Sequence, residues 1–131
     1  MVIDSSALIA VLIGEPEAER LESAIGRDSK RLMSVAWVLE STIVLDTKFG
    51  DAGPRELDLL VHRLPIEVIP VDLDQLEWAR FASHTYRRGR HAAKLNFGDC
   101  FSYALSKVTG EPLLFTGRDF VRTDLISALA R

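Results

Sequence analysis

Four carboxylates stand where acid-dependent chemistry would want them. Asp4 directly follows a short apolar run, Met1 to Ile3, and directly precedes a helical pattern. Asp119 repeats that placement after Leu113-Leu114-Phe115-Thr116, where the Gly117 turn lets the chain curl back. In open parallel sheets, ligands gather beyond the carboxyl ends of the strands, so both acids overhang one edge if their strands are neighbours. Glu40 is the only charged residue from Val35 to Leu45 (VAWVLESTIVL), a pattern apolar almost all round that predicts burial against a sheet. A lone buried carboxylate is costly, so Glu40 calls for a cation, an arginine or hydrogen-bond donors. Asp99 stands three residues after Asn96 in Asn96-Phe97-Gly98-Asp99, a spacing that equally describes a helix cap. The stripe Phe97, Phe101, Ala104, Leu105 and Val108 turns Asp99 away from the core. Asp4 also reads as an N-cap, and Asp119 as a surface turn residue.

Carboxylates that share a pocket repel one another unless a hard cation lies among them. With no nearby His or Cys, oxygen ligands favour Mg²⁺ or Mn²⁺ over zinc. His62, His84 and His91 are too widely spaced for a metal pair, and Cys100 has no basic neighbour to activate it. No glycine pattern matches a P-loop or a dinucleotide fingerprint, and no Gly-X-Ser-X-Gly motif occurs. Metal-assisted chemistry is therefore favoured over attack by a protein nucleophile.

Alternating short apolar runs and helical patterns predict an α/β layer fold with a mainly parallel sheet. The strands are read at Met1 to Ile3, Arg31 to Ser34, Ile66 to Val71 and Pro112 to Thr116. Helices are read from Ser5 or Ser6 to Ile13, from Glu15 to Ile25 ending at Gly26, and from Val35 to Phe49. Three more run from Arg55 to Leu64, from Asp72 or Asp74 to Arg88, and from an Asn96 cap to Val108. The 131 residues, 47% apolar and 27% charged, carry no linker or repeat and are read as one domain spanning 1–131. A single cysteine excludes an internal disulfide and suits the cytoplasm; neither an export signal nor a membrane span is visible.

A net charge of −3 argues against a surface that is basic throughout. Charge is nevertheless segregated: Arg87, Arg88, Arg90 and Lys94 cluster without an acid just before Asp99. They suit a nucleic-acid backbone, with Tyr86 and His91 available to stack on unpaired bases; a solvated helix end is the plainer reading.

Four segments, VIDSSALIAVL, SVAWVLESTIVL, NFGDCFSYALSK and EPLLFTGRDFVRTDL, together resemble the VapC-type toxins of the PIN-domain family. The resemblance implies a three-layer α/β/α sandwich and a Mg²⁺-dependent endoribonuclease, the toxin of a toxin-antitoxin pair. It also implies a homodimer silenced by a VapB-like antitoxin whose C-terminal segment enters the active-site groove. The family's first acid falls on Asp4, its helical acid on Glu40 and its third on Asp99, with Asp4 and Asp99 as the metal ligands. Its fourth slot, two residues after Thr116, holds Arg118, with Asp119 one step later. Asp119 is thus a displaced ligand, a group behind the ligands, or a turn residue. Ser6 and Thr116 match small hydroxyl positions that orient a carboxylate or water.

Two rival classes stand beside this one. A Mg²⁺-dependent phosphatase of similar sheet would want Asp where Ser6 stands, and a receiver would need Asp72 as phosphate acceptor rather than helix cap. A catalytically degenerate RNA- or protein-binding module is the other, suggested by Arg118.

Overall fold

The computed structural model describes residues 1–87, 89 and 91–130. Strands β1 (Val2–Ile3), β2 (Leu32–Ser34), β3 (Glu67–Ile69) and β4 (Leu113–Leu114) form one sheet in the order β3-β2-β1-β4. Every pairing is parallel, with Val2 beside both Leu32 and Leu113, and Ile3 beside Leu114. Strands β1, β2 and β4 are buried on both faces, which accounts for their apolar runs, whereas β3 at the sheet's edge is largely exposed and begins with Glu67.

Side chains alternate across that sheet. Ile3, Met33 and Leu114 face a core built with α1 (Ser5–Ile13), α2 (Ala18–Arg27), α3 (Val35–Phe49) and α4 (Ala52–Arg63). Val2, Leu32 and Leu113 face a second core under α5 (Leu73–Tyr86) and α6 (Asp99–Thr109). The result is the expected α/β/α sandwich. The chain lays β2 and β3 on one side of β1, then returns to place β4 on the other, so the sheet's switch point lies between β1 and β4. Crevices of this kind are where open α/β sheets bind ligands.

Several boundaries differ from the sequence reading, for identifiable reasons. Gly26 lies inside α2, which runs on to Arg27. Helix α4 begins at Ala52 and takes Pro54 into its first turn, where a missing N–H costs nothing. Gly53 explains the early start: a Cβ there would stand 2.4 Å from the Leu45 carbonyl oxygen, so only glycine lets α4 close onto α3. Helix α5 ends at Tyr86, before the expected Arg88, which lies outside the described residues together with Arg90.

A candidate metal centre at the ends of the first and fourth strands

Asp4 leaves β1 and caps α1, its Oδ2 accepting from the Ser6 amide at 3.0 Å. Its other oxygen, Oδ1, accepts from the Ser102 hydroxyl at 2.6 Å. The Asp4 amide donates to the Leu114 carbonyl at 2.9 Å, and the Thr116 amide donates to Ser6 Oγ at 3.1 Å. Ser6 and Thr116 thus tie the ends of β1 and β4 together around the carboxylate. Asp4 is only 2% exposed, and burial pushes its pKa up against the opposing pull of hydrogen bonds from Ser102 and Ser6.

Asp99 comes from the opposite layer. Its carboxylate accepts from the Asn96 amide at 3.1 Å while its own amide donates to Asn96 Oδ1 at 2.9 Å, the reciprocal cap that the spacing predicts. The burial is the reverse of what the apolar stripe predicts: Asp99 is 4% exposed, whereas Phe97 is 79% exposed and Val108 is exposed too. Helix α6 packs on α5 and on three strands at once, so its buried face is broad and takes in small polar residues such as Ser102 and Ser106. Burial raises the pKa of Asp99 to about 7, with further upward pressure from the charges of Asp4 and Asp119. Asp119 is exposed, and it lies near enough for its charge to push the pKa values of both Asp4 and Asp99 upward.

Glu40 corrects a sequence expectation. It is exposed, because α3 turns Trp37, Ser41 and Leu45 inward and leaves Val35, Leu39 and Ile43 in solvent beside Glu40. Its position still bears on the site. A Cβ on Gly98 would lie 2.9 Å from Glu40 Oε2 and 2.5 Å from the Trp37 ring, so the bare glycine before Asp99 is the notch that admits the Glu40 carboxylate.

Among the described residues, no three His, Cys, Asp or Glu side chains are spaced as a closed metal cage. Two buried carboxylates, Asp4 and Asp99, are nonetheless a fitting donor set for Mg²⁺, which is held by one or two carboxylates and retains water. Zinc would ask for His or Cys; Cys100 is buried with its thiol donating to the Asn96 carbonyl, and burial raises its pKa.

Outside this cluster, Arg87 and Lys94 are exposed. Tyr86 is held among Phe81, Tyr103 and His91, so it forms part of a ring cluster and not a free stacking platform. Asp72 caps α5 through the Gln75 amide, as a helix cap and not a phosphate acceptor should. Ser102 was the residue the sequence reading missed. Its signal was the spacing of three from Asp99, which puts both on one helical face.

The chain matches the PIN domain family over residues 1–126. It is 54% identical over 125 residues to ribonuclease VapC30 of Mycobacterium tuberculosis, covering 95% of each chain. Its fold is shared with VapC20 of Mycobacterium tuberculosis, described as a sarcin-ricin loop cleaving toxin (TM-score 0.75, 17% identity, 95% of each chain). A toxin-antitoxin complex from Klebsiella pneumoniae is similar too (TM-score 0.69, 18% identity, 94% of this chain and 92% of that one). With a strand order, a pair of buried acids and more than half of a relative's residues all pointing one way, the chain belongs to the PIN-domain family, in its VapC group.

Proposed function

We propose that the protein is a metal-dependent endoribonuclease, the toxin of a toxin-antitoxin pair, with Mg²⁺ (or Mn²⁺ in its place) held by Asp4 and Asp99. The observation that carries this reading is the burial of those two acids side by side, with raised pKa values, from positions 95 residues apart. Such a pair is unfavourable in the empty protein and favourable around a cation. When bound, the ion supplies positive charge to the phosphate and acidifies water.

The chain's own groups do the rest. Ser102 and Ser6 fix the Asp4 carboxylate, and the Asn96 amide fixes that of Asp99. Glu40 Oε2, admitted by Gly98, takes the proton of the attacking water. Phosphorus gains the water oxygen and loses the 3'-oxygen of the neighbouring ribose, which takes a proton from solvent, leaving a 5'-phosphate and a 3'-hydroxyl. Asp119 modulates the charge around Asp99 and stands in for the acid missing at Arg118. Arg87 and Lys94 hold RNA phosphates without reading sequence, together with Arg88 and Arg90.

A VapB-like antitoxin is the proposed partner, a reading supported by the complex among the structural neighbours. The exposed apolar row Val35, Leu39 and Ile43 on α3 supports a homodimer, and the free, buried Cys100 a reducing cytoplasm. Among the described residues, no helix is long and apolar enough to cross a membrane. The test is incubation of purified protein with structured and single-stranded RNAs in Mg²⁺, Mn²⁺ or chelator, beside Asp4→Ala and Asp99→Ala. Cleavage in either metal, lost in the chelator and in both variants, is expected; cleavage that survives either change overturns the reading.

A further inference from the structure

The largest aromatic exposure next to the carboxylates has no structural use. Phe97, 79% exposed, touches Phe101 edge-on with ring centroids 5.1 Å apart, and the two form one wall of a cleft of about 380 Å³ between α5 and the start of α6. Leu76 and Ala79 of α5 form the facing wall. That volume falls within the range of small-molecule sites, and the surface inside is almost wholly apolar. Two guanidinium groups line it, Arg87 and Arg80, the latter also donating to Glu77 Oε1 at 3.4 Å on the exposed face of α5; no acid is among the lining residues. Asn96 also lines it, its backbone amide and Oδ1 engaged by Asp99. Among the described residues, its Nδ2 donates to no protein group, and the side chain is exposed.

A flat apolar slot, an exposed ring, a free amide donor and two guanidinium groups, all adjoining an acidic site, match one ligand chemistry. We propose that the cleft between α5 and α6 takes up one unpaired base of the RNA, belonging to a nucleotide beside the scissile phosphate. The base stacks on Phe97, Asn96 Nδ2 donates to an acceptor on its edge, and Arg80 and Arg87 meet the flanking phosphates. An apolar cleft alone would suit a protein segment as well; the two lining arginines and the continuity with Asp99 through Asn96 favour the nucleotide. The assignment rests on the ribonuclease reading and adds the position at which sequence preference arises.

The test uses the full chain with Asp4→Asn in chelator, and fluorescence anisotropy of labelled single-stranded RNA hexamers, intact or with one abasic ribose at each position in turn. Adding Phe97→Ala should weaken binding of the intact hexamer by about 5- to 100-fold, the usual range for one base stacked on an aromatic ring, while Phe97→Trp retains it. An abasic ribose at one position should cost the parent the same amount and cost the Phe97→Ala protein nothing further. Ser83→Trp, which fills the cleft from α5, should reproduce the loss with Phe97 intact. Equal binding by Phe97→Ala, as expected of a cleft made for a protein segment, overturns the proposal, as do losses that simply multiply. Wild-type protein assayed on the same hexamers with Mn²⁺ separates the two readings. Cleavage with no effect of Phe97→Ala removes the base site alone, whereas absence of cleavage on every RNA removes the ribonuclease reading and this site with it.

Discussion

Ser102 Oγ lies 2.6 Å from Asp4 Oδ1, a buried hydrogen bond between residues 98 positions apart that joins α6 to the end of β1. It fixes the orientation of one acid relative to the helix that bears the other. Ser102→Ala removes that donor and lets the carboxylate turn. RNA cleavage should fall about 10- to 100-fold, the usual cost of losing a group that orients a ligand, with melting temperature nearly unchanged. The lost hydrogen bond also raises the proton affinity of Asp4, so the acid limb of the pH-rate profile should move to higher pH. Wild-type kinetics in Ser102→Ala would show that the bond has no catalytic use.

The metal-free protein should grow less stable as pH rises from the acid side toward neutrality. Between 3.8, the ordinary carboxyl value, and about 7, folded Asp99 keeps a proton that the unfolded chain has released. Stability therefore declines with pH across that window. Melting curves in chelator at pH 5, 6, 7 and 8 should descend, and Asp99→Asn should flatten them. Mg²⁺ should restore the melting temperature at pH 8 more than at pH 5. A profile that rises over the same range would contradict the raised pKa.

Glu40 and Asp4 should separate in their effects on metal and on chemistry. Glu40→Gln keeps shape and removes the proton acceptor, so turnover should fall about 10²- to 10⁴-fold while Mn²⁺ affinity measured by calorimetry stays near wild type. Asp4→Asn should lose both. Retained turnover in Glu40→Gln would assign the base elsewhere.

Gly98→Ala tests the notch. The added methyl meets the Trp37 ring at 2.5 Å and Glu40 Oε2 at 2.9 Å, and Trp37, being buried, has little room to yield. Urea denaturation should show a loss of about 1–3 kcal/mol, and turnover should drop as Glu40 is displaced. A variant with unchanged stability and rate would mean that the ring and the carboxylate move aside freely.

The sandwich itself was readable because its signals are local. Apolar runs gave the strands, and capping chemistry at Ser34, Asp72 and the Asn96–Asp99 pair gave helix starts to within a few residues. Asp4 and Asp119 were legible as strand-end acids for the same reason. What eluded the sequence was long-range packing. Glu40 looked buried because an all-apolar helix hides whether its second face meets a core or solvent. Asp99 looked exposed because a single stripe cannot describe a helix wedged between a sheet and a neighbouring helix. Pro54 in the first turn of α4 belongs with these, since a contact with α3 set that boundary.

The central place of β1 in the strand order also fixes when the pocket comes into being. On a growing polypeptide, Asp4 and Glu40 emerge early, yet one edge of β1 waits for Leu113 and Leu114 to arrive, and Asp99 waits for the helix that precedes them. The paired acids are therefore among the last features that translation completes, and a nascent fragment still lacking its fourth strand has not yet closed the pocket around them.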